Sequence, residues 1–479
     1  MTDLAWTDAT GQAELVRRGE VTPTELVEAA LARIRTHNPT LNAVIHDLSD
    51  SARATAADPA LADGPFRGVP FLLKDAVAHS AGDPYHCGMQ VLKDARWNER
   101  ADTWLVERFR AAGFVICGKT NLPELASSVT TEPLAYGATR NPWDTTKSTG
   151  GSSGGAAAAV ASGMVPVAHG NDMGGSIRIP SSMCGLVGLK PTRARSTLGP
   201  DFGEYWAMTT HEHVLTRSIR DTAGVLDAIA GPGVGDPYSA APPTRPFAAE
   251  VGADPGRLRV GFRTEMTGGL GRSDPACIDA VQATAHLLEE LGHDVVPTDI
   301  AELDDPRFAQ ATPIAFSAFI ARELDRWSER LGRAIAPSEL EPWNAMLAET
   351  GATITASMYI GALEDLQGYA RNLARWWADG FDVLLTPMLT QSPFPLGHLA
   401  PTVDPGELMV RLTGLTSFTM PFNVTGQPAI SLPLHWDDEG MPIGVQLVGA
   451  FGREDVLLRL AAQLETARPW ADRHPPLAA

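Results

Sequence analysis

Over residues 141–195 the composition turns sharply toward Gly, Ser, Ala and Pro, and this stretch limits what the chain can fold into more than any other. Residues 156–161 read as a helix without a single large or charged side chain, so it has no solvated face and must pack closely on every side. Residues 165–168 follow as a short apolar run that reads as a buried strand. A small-residue helix beside a buried strand needs a large core around it. The chain can supply one, with 479 residues of which 44% are hydrophobic and 20% charged. That balance excludes a mostly disordered chain and a small module that depends on metal or disulfide staples.

The remaining sequence alternates between helical and strand patterns. Thr22-Pro23-Thr24-Glu25 is a capping box with proline at the first helical position. Leu26, Ala29, Leu31 and Ile34 continue an apolar stripe, which His37-Asn38-Pro39 is expected to stop. Strands are expected at 41–45, in the apolar run that ends on Lys74, and at 114–119, 258–262, 294–296, 383–387, 429–433 and 443–447. Helices are expected over 102–112, 276–291, most of 306–376, and 454–467. The Pro/Ala-rich residues 237–256 read as a surface excursion. No internal repeat is apparent. The alternation predicts an α/β chain with a central mixed, twisted β-sheet covered on both sides by helices. Lys74 would then lie at the rim of the sheet or be partly buried.

Charge and cysteine usage narrow the function. Lys+Arg number 38 against 57 Asp+Glu, a formal net charge of −19, with no Lys/Arg run of five or more. Nucleic-acid binding is disfavoured, because phosphate contacts need concentrated positive charge. Cys87, Cys117, Cys184 and Cys277 are scattered and form no CxxC or Cys/His cluster, so they read as reduced thiols in a cytoplasmic protein with no metal site. No secretory signal or membrane-spanning run is visible, and no membrane partner is expected.

Two serines stand in glycine-rich surroundings, Ser152 in TGGSSGGA and Ser176 in GNDMGGSIR. Glycines let several backbone N–H groups converge on one point, which is what a developing oxyanion requires. Neither segment is a phosphate-binding or GxSxG pattern, and glycine richness by itself more often marks a tight or flexible turn.

With these motifs and the GVPFLLKD segment ending at Asp75, the sequence resembles the amidase signature family of serine hydrolases. The likeness runs over nearly the whole chain and is most specific over residues 150–191. It implies a single domain over 1–479, a catalytic core over 60–200, and a largely helical middle region over 257–380 that contributes to the substrate pocket. In that family a lysine, a serine in a cis peptide linkage and a serine nucleophile form the catalytic set. By position these are Lys74, Ser152 and Ser176. The resemblance implies that the backbone N–H groups of Met173, Gly174, Gly175 and Ser176 form an oxyanion hole. Ser153, Asp172 and Arg178 would be structural supports, Asp172 and Arg178 as a buried ion pair, and His169 would pack or hydrogen bond. No cofactor is expected.

Within the family the chain resembles bacterial 6-aminohexanoate cyclic-dimer hydrolase-like amidases, notably in VPVAHGNDMGGSIRIP, FNVTGQPAISLPLHW and PIGVQLVGAFGREDVLLRLAAQLE. Pocket candidates by position are Tyr85, His86, Cys87, Met89, Ser127, Phe316, Trp343, Met388, Phe394 and Phe418, a mainly apolar set that favours an aryl or aliphatic amide. The implied substrate is a small molecule with a linear or cyclic amide bond. A carbamate (urethane) or ester hydrolase, a glutaminase like the tRNA-dependent amidotransferase A subunit, and a non-catalytic binding protein are the alternatives. A homodimer is among the assemblies the resemblance allows.

Overall fold

The computed structural model describes residues 4–266 and 272–478. Its frame is a sheet of eleven strands: β1 (Val44–Asp47), β2 (Pro70–Lys74), β3 (Val115–Thr120), β4 (Val167–Asp172), β5 (Val187–Lys190), β6 (His211–Thr216), β7 (Arg259–Phe262), β8 (Asp294–Pro297), β9 (Val383–Pro387), β10 (Ala429–Trp436) and β11 (Pro442–Gly449). They lie in the order β1-β3-β2-β4-β6-β5-β10-β11-β9-β7-β8. β2 runs parallel to both β3 and β4, and β7 parallel to β8 and β9, while the centre, from β4 through β6, β5, β10 and β11 to β9, is antiparallel. The sheet is therefore mixed, with helices on both faces.

The two-residue side-chain period of a strand assigns β2 to both layers. Phe71 and Leu73 pack with Phe109 of the helix Trp104–Ala111 and Val225 of the helix Ile219–Ile229. Leu72 packs on the opposite face, against the small-residue helix Gly154–Ala161 and residues of the helix Pro23–Leu41. Every residue of Gly154–Ala161 is buried, as its composition demands. The same alternation sends the Lys74 side chain to the Leu72 face, toward the turn that precedes that helix.

Three expectations need correction. The helix that begins at Pro23 does not stop at 37–39 but continues through Pro39 to Leu41. Asn38 ends it two residues later than the proline rule suggests: its Oδ1 accepts from the N–H of Ala43 and Val44, both at 2.8 Å, and its carbonyl accepts from Asn42, which adopts the left-handed conformation. The strand that follows accordingly begins at Val44. Residues 237–256 are not wholly superficial, because the turn Phe247–Glu250 buries Phe247 against Leu226 and Leu258. Lys74 is not at the rim, since it is fully buried.

Candidate active site

β2 ends on Lys74, and its ladder to β4 extends only through Phe71–Val167 and Leu72–Ala168. Beyond that point a side chain takes over: the Lys74 N–H donates to His169 Nδ1 at 3.3 Å. That bond fixes the His169 tautomer, so Nε2 carries the proton and donates to Glu212 Oε2 at 2.6 Å. Glu212 comes from β6, where it faces Asn171 of β4.

The Lys74 ammonium head meets the turn before the helix Gly154–Ala161. Nζ lies 2.7 Å from Ser152 Oγ, 3.0 Å from Ser153 Oγ and 2.5 Å from Asn171 Oδ1. The Gly151–Ser152 peptide is cis. Burial pushes Lys74 down to about 7, outweighing the opposing influence of Glu212, Cys87 and Asp172. At neutral pH a substantial fraction of this amine is free to accept a proton, which an exposed lysine cannot do.

Ser176 follows β4 at the end of a glycine turn, and its carbonyl accepts from the Ser153 N–H at 3.2 Å, tying the two serine segments together. Gly175 has φ of +129°, a backbone angle that strains any side chain, and a Cβ there would sit 2.6 Å from Ile179 Cδ1. Asp172 holds this turn from inside. Its carboxylate accepts from the N–H groups of Gly175 at 2.7 Å, Ile177 at 3.2 Å and Arg178 at 3.3 Å. Arg178 Nε and Nη2 each donate to it at 2.9 Å. Burial alone would raise the Asp172 carboxyl, but the Arg178 guanidinium outweighs it and holds the group below the usual carboxylate range. The Gly175 N–H, one of the four donors expected for an oxyanion, is committed to Asp172.

The sequence reading did not find the rest of this support. Asn423, fully buried, donates from Nδ2 to the Asp172 carbonyl and carboxylate, both at 2.8 Å, and its Oδ1 accepts from Arg178 at 2.6 Å. Gln446, in the middle of β11, accepts from Arg178 Nη1 at 2.6 Å. A polar residue inside an otherwise apolar buried strand is a signal for such a partner. Asn423 in PFNVTG carries a weaker version of it.

Seven of the pocket candidates fall into two clusters. Tyr85, Cys87 and Met89 cluster with Met173 of the turn that leads to Ser176 and with Trp206, and Phe316 and Trp343 pack against them from the middle helices. This joins the turn carrying Ser176 to an apolar wall. Ser127 donates to Asn344 Oδ1 at 2.6 Å, and Trp343 Nε1 donates to the Ser127 carbonyl at 3.1 Å. Met388 and Phe394 instead pack with Ile179 and Met183 of the helix that follows Ser176, and Trp343 touches this cluster as well. Phe418 is buried, with its carbonyl accepting from Gln446. His86 faces the Tyr136 hydroxyl, and its N–H donates to Asp75 at 2.9 Å, which makes it part of the loop's support. Cys184 is a buried thiol whose Sγ lies 3.7 Å from the Thr149 carbonyl. Among the described residues no group of His, Cys, Asp and Glu is arranged to hold a metal ion, and no helix is long and apolar enough to cross a membrane.

Comparison with known proteins gives the family. The amidase family model matches residues 25–458. The 6-aminohexanoate-cyclic-dimer hydrolase of Paenarthrobacter ureafaciens is 44% identical over 480 residues, which cover 98% of this chain and 97% of that protein. The solved structure of a 6-aminohexanoate cyclic dimer hydrolase complexed with substrate superposes with a TM-score of 0.95, covering 100% of both chains at 44% identity. A bacterial aryl acylamidase of the amidase signature family superposes with a TM-score of 0.87, covering 97% of each chain at 26% identity. The chain belongs to the amidase signature family and is an amidase, a hydrolase of carbon–nitrogen bonds other than peptide bonds.

Proposed function

We propose that the protein hydrolyses linear or cyclic amides through an acyl-enzyme on Ser176, with Ser152 and Lys74 carrying the proton. The observation that carries this reading is the buried Lys74 Nζ at 2.7 Å from Ser152 Oγ. Ser176 Oγ attacks the carbonyl carbon while its proton passes through Ser152 to neutral Lys74. The negative charge that develops on the carbonyl oxygen is received by the free N–H groups of Met173, Gly174 and Ser176, a type of interaction worth about 3–4 kcal/mol per important donor. When the C–N bond breaks, the proton returns through Ser152 to the departing amine. Water then adds to the acyl carbon while its proton passes to Lys74, and when the bond from that carbon to Ser176 Oγ breaks the proton returns through Ser152 to Oγ, releasing the acid and restoring the serine.

The substrate class follows from two supports. Similarity to the cyclic-dimer hydrolase extends over nearly the full length, and the wall beside the nucleophile turn is built from Tyr85, Cys87, Met89, Phe316 and Trp343. Both favour an uncharged aliphatic or aryl amide, including a cyclic amide such as a 6-aminohexanoate dimer. The test is product analysis by mass spectrometry, with wild-type and Ser176→Ala protein offered linear amides, anilides, lactams including the cyclic dimer, carbamates, esters and glutamine. Ser176-dependent cleavage of the uncharged amides or lactams is expected. Turnover confined to glutamine, or equal turnover by Ser176→Ala, overturns the reading.

A further inference from the structure

The Lys74 amine has three polar neighbours, and neutral lysine has only two N–H groups and one lone pair. Which neighbour faces the lone pair decides whether the amine can act as a base toward Ser152. Two backbone carbonyls settle the question. The Ala76 carbonyl can only accept, and it lies 3.0 Å from Asn171 Nδ2, so the Asn171 amide is oriented with Oδ1 toward Lys74. Oδ1, 2.5 Å from Nζ, can also only accept, so one lysine N–H must point at it. The Asn171 carbonyl, in turn, takes the Ser153 hydroxyl proton at 3.3 Å. Ser153 Oγ is thereby left as an acceptor for the second lysine N–H, at 3.0 Å. The only direction remaining for the lone pair is Ser152 Oγ.

We propose that Asn171 is the positioning residue that sets the hydrogen-bond polarity of Lys74, so that the lysine lone pair faces Ser152. This rests on the reading of Ser176, Ser152 and Lys74 given above. Asn171 acts through both halves of the residue: its side-chain oxygen takes one lysine proton, and its main-chain oxygen turns Ser153 into an acceptor for the other. Without the side-chain oxygen, the neutral amine can rotate and direct an N–H at Ser152, a non-productive arrangement.

The protonated amine, with three N–H groups and no lone pair, also uses the Asn171 oxygen, and a charge-assisted bond is the stronger of the two. Removing that acceptor therefore destabilises the ammonium more than the free amine. The other ionisable groups around Lys74 are Asp172 and His169 on β4, Glu212 on β6 and Cys87 in the facing loop, with Asp75 next in the chain and paired to Lys119 at 2.5 Å. All of them remain in place when only Asn171 changes.

The experiment is the rate of Ser176 labelling by a fluorophosphonate, followed by intact mass from about pH 5 to about pH 10. In that step the Ser176 Oγ–P bond forms, the P–F bond breaks, fluoride leaves, and the serine proton passes through Ser152 to Lys74. Asn171→Leu is expected to lower the plateau rate about ten-fold or more and to move the half-maximal pH downward. Asn171→Asp keeps an acceptor oxygen toward Lys74 while giving up the donor to the Ala76 carbonyl, so its half-maximal pH is equal to or above the wild-type value and its plateau exceeds that of Asn171→Leu. A merely structural role for Asn171 would slow labelling without displacing the half-maximal pH. Wild-type plateau and half-maximal pH in Asn171→Leu would overturn the proposal. So would an Asn171→Asp protein whose half-maximal pH falls below wild type, and this arm decides the matter even if the leucine variant fails to fold. Lys74→Ala separates the two levels. If it labels like wild type, the lysine reading itself fails; if it is inert while Asn171→Leu behaves as wild type, only the polarity assignment fails.

Discussion

Arg178→Met should be among the most damaging single substitutions outside the reacting groups. Arg178 is fully buried and joins four segments: β4 through Asp172, the end of the Ser176 turn through its own backbone, the segment carrying Thr419 and Asn423, and β11 through Gln446. Methionine retains a stem of similar length but leaves Asp172 as a buried carboxylate without its counter-charge. Breaking one side of such a pair costs about 3–5 kcal/mol. For 479 residues the unfolding entropy is roughly 1 kcal/mol per kelvin near the midpoint, so Tm should fall by about 3–5 °C. Urea unfolding followed by tryptophan fluorescence measures the loss directly. Combining Arg178→Met with Asp172→Asn removes the stranded charge, so the double variant should be more stable than the sum of the single changes predicts, by about 1–3 kcal/mol. The sign against pH is set by Asp172. Its folded pKa is depressed, so the pair's contribution is present above about pH 4 and is lost as pH falls through the folded value, and the gap between wild type and Arg178→Met narrows in acid. A loss below about 1 kcal/mol, or additivity within about 0.5 kcal/mol, would refute the reasoning.

Three further outcomes follow from the site and its surroundings. With Lys74 near 7, its neutral fraction drops from about 0.9 at pH 8 to about 0.1 at pH 6, so Ser176 acylation should fall about nine-fold or ten-fold across that interval and level off above it; a rate still climbing ten-fold per unit past pH 9 would mean an ordinary lysine. Gly175→Ala places a methyl group 2.6 Å from Ile179 Cδ1 and 2.7 Å from Thr419 Oγ1 at a φ of +129°, and is expected to cost about 1–3 kcal/mol and slow fluorophosphonate labelling at least ten-fold, which melting and labelling rates would check. Burial raises Glu124 to about 7 beneath the helix Pro342–Gly351, so folding carries a penalty that grows as pH rises from about 4.3 to about 7. Glu124→Gln should therefore stabilise the protein by up to about 3 kcal/mol at pH 8 and hardly at all at pH 4, as read by thermal melts at the two pH values.

The sequence made much of the fold readable where periodicity and composition agreed. The closing helix Glu454–Ala467 matches its expected bounds, and the all-small helix after the glycine turn is buried throughout. β5 and β6 are not legible in the sequence, because β5 is only four residues, Val-Gly-Leu-Lys, and β6 reads His-Glu-His-Val-Leu-Thr, a polar sequence whose burial depends on partners from β4. The two serines and Lys74 were readable as motifs, but their neighbours were not. Asn423 and Gln446 reach Asp172 and Arg178 from more than two hundred residues away, and no local pattern encodes that meeting. The commitment of the Gly175 N–H to Asp172 likewise depends on a side-chain rotamer that glycine spacing does not reveal.

The most direct test of the central claim is to find where the acyl group goes. Wild-type, Ser176→Ala and Lys74→Ala proteins would be mixed with 4-nitrophenyl hexanoate, quenched in acid within the first turnover, and mapped by peptide mass spectrometry. The account predicts a hexanoyl group on Ser176 in the wild type, none in Ser176→Ala, and a strongly reduced yield in Lys74→Ala. A hexanoyl group on another residue at full stoichiometry, or equal acylation of Ser176→Ala protein, would contradict it.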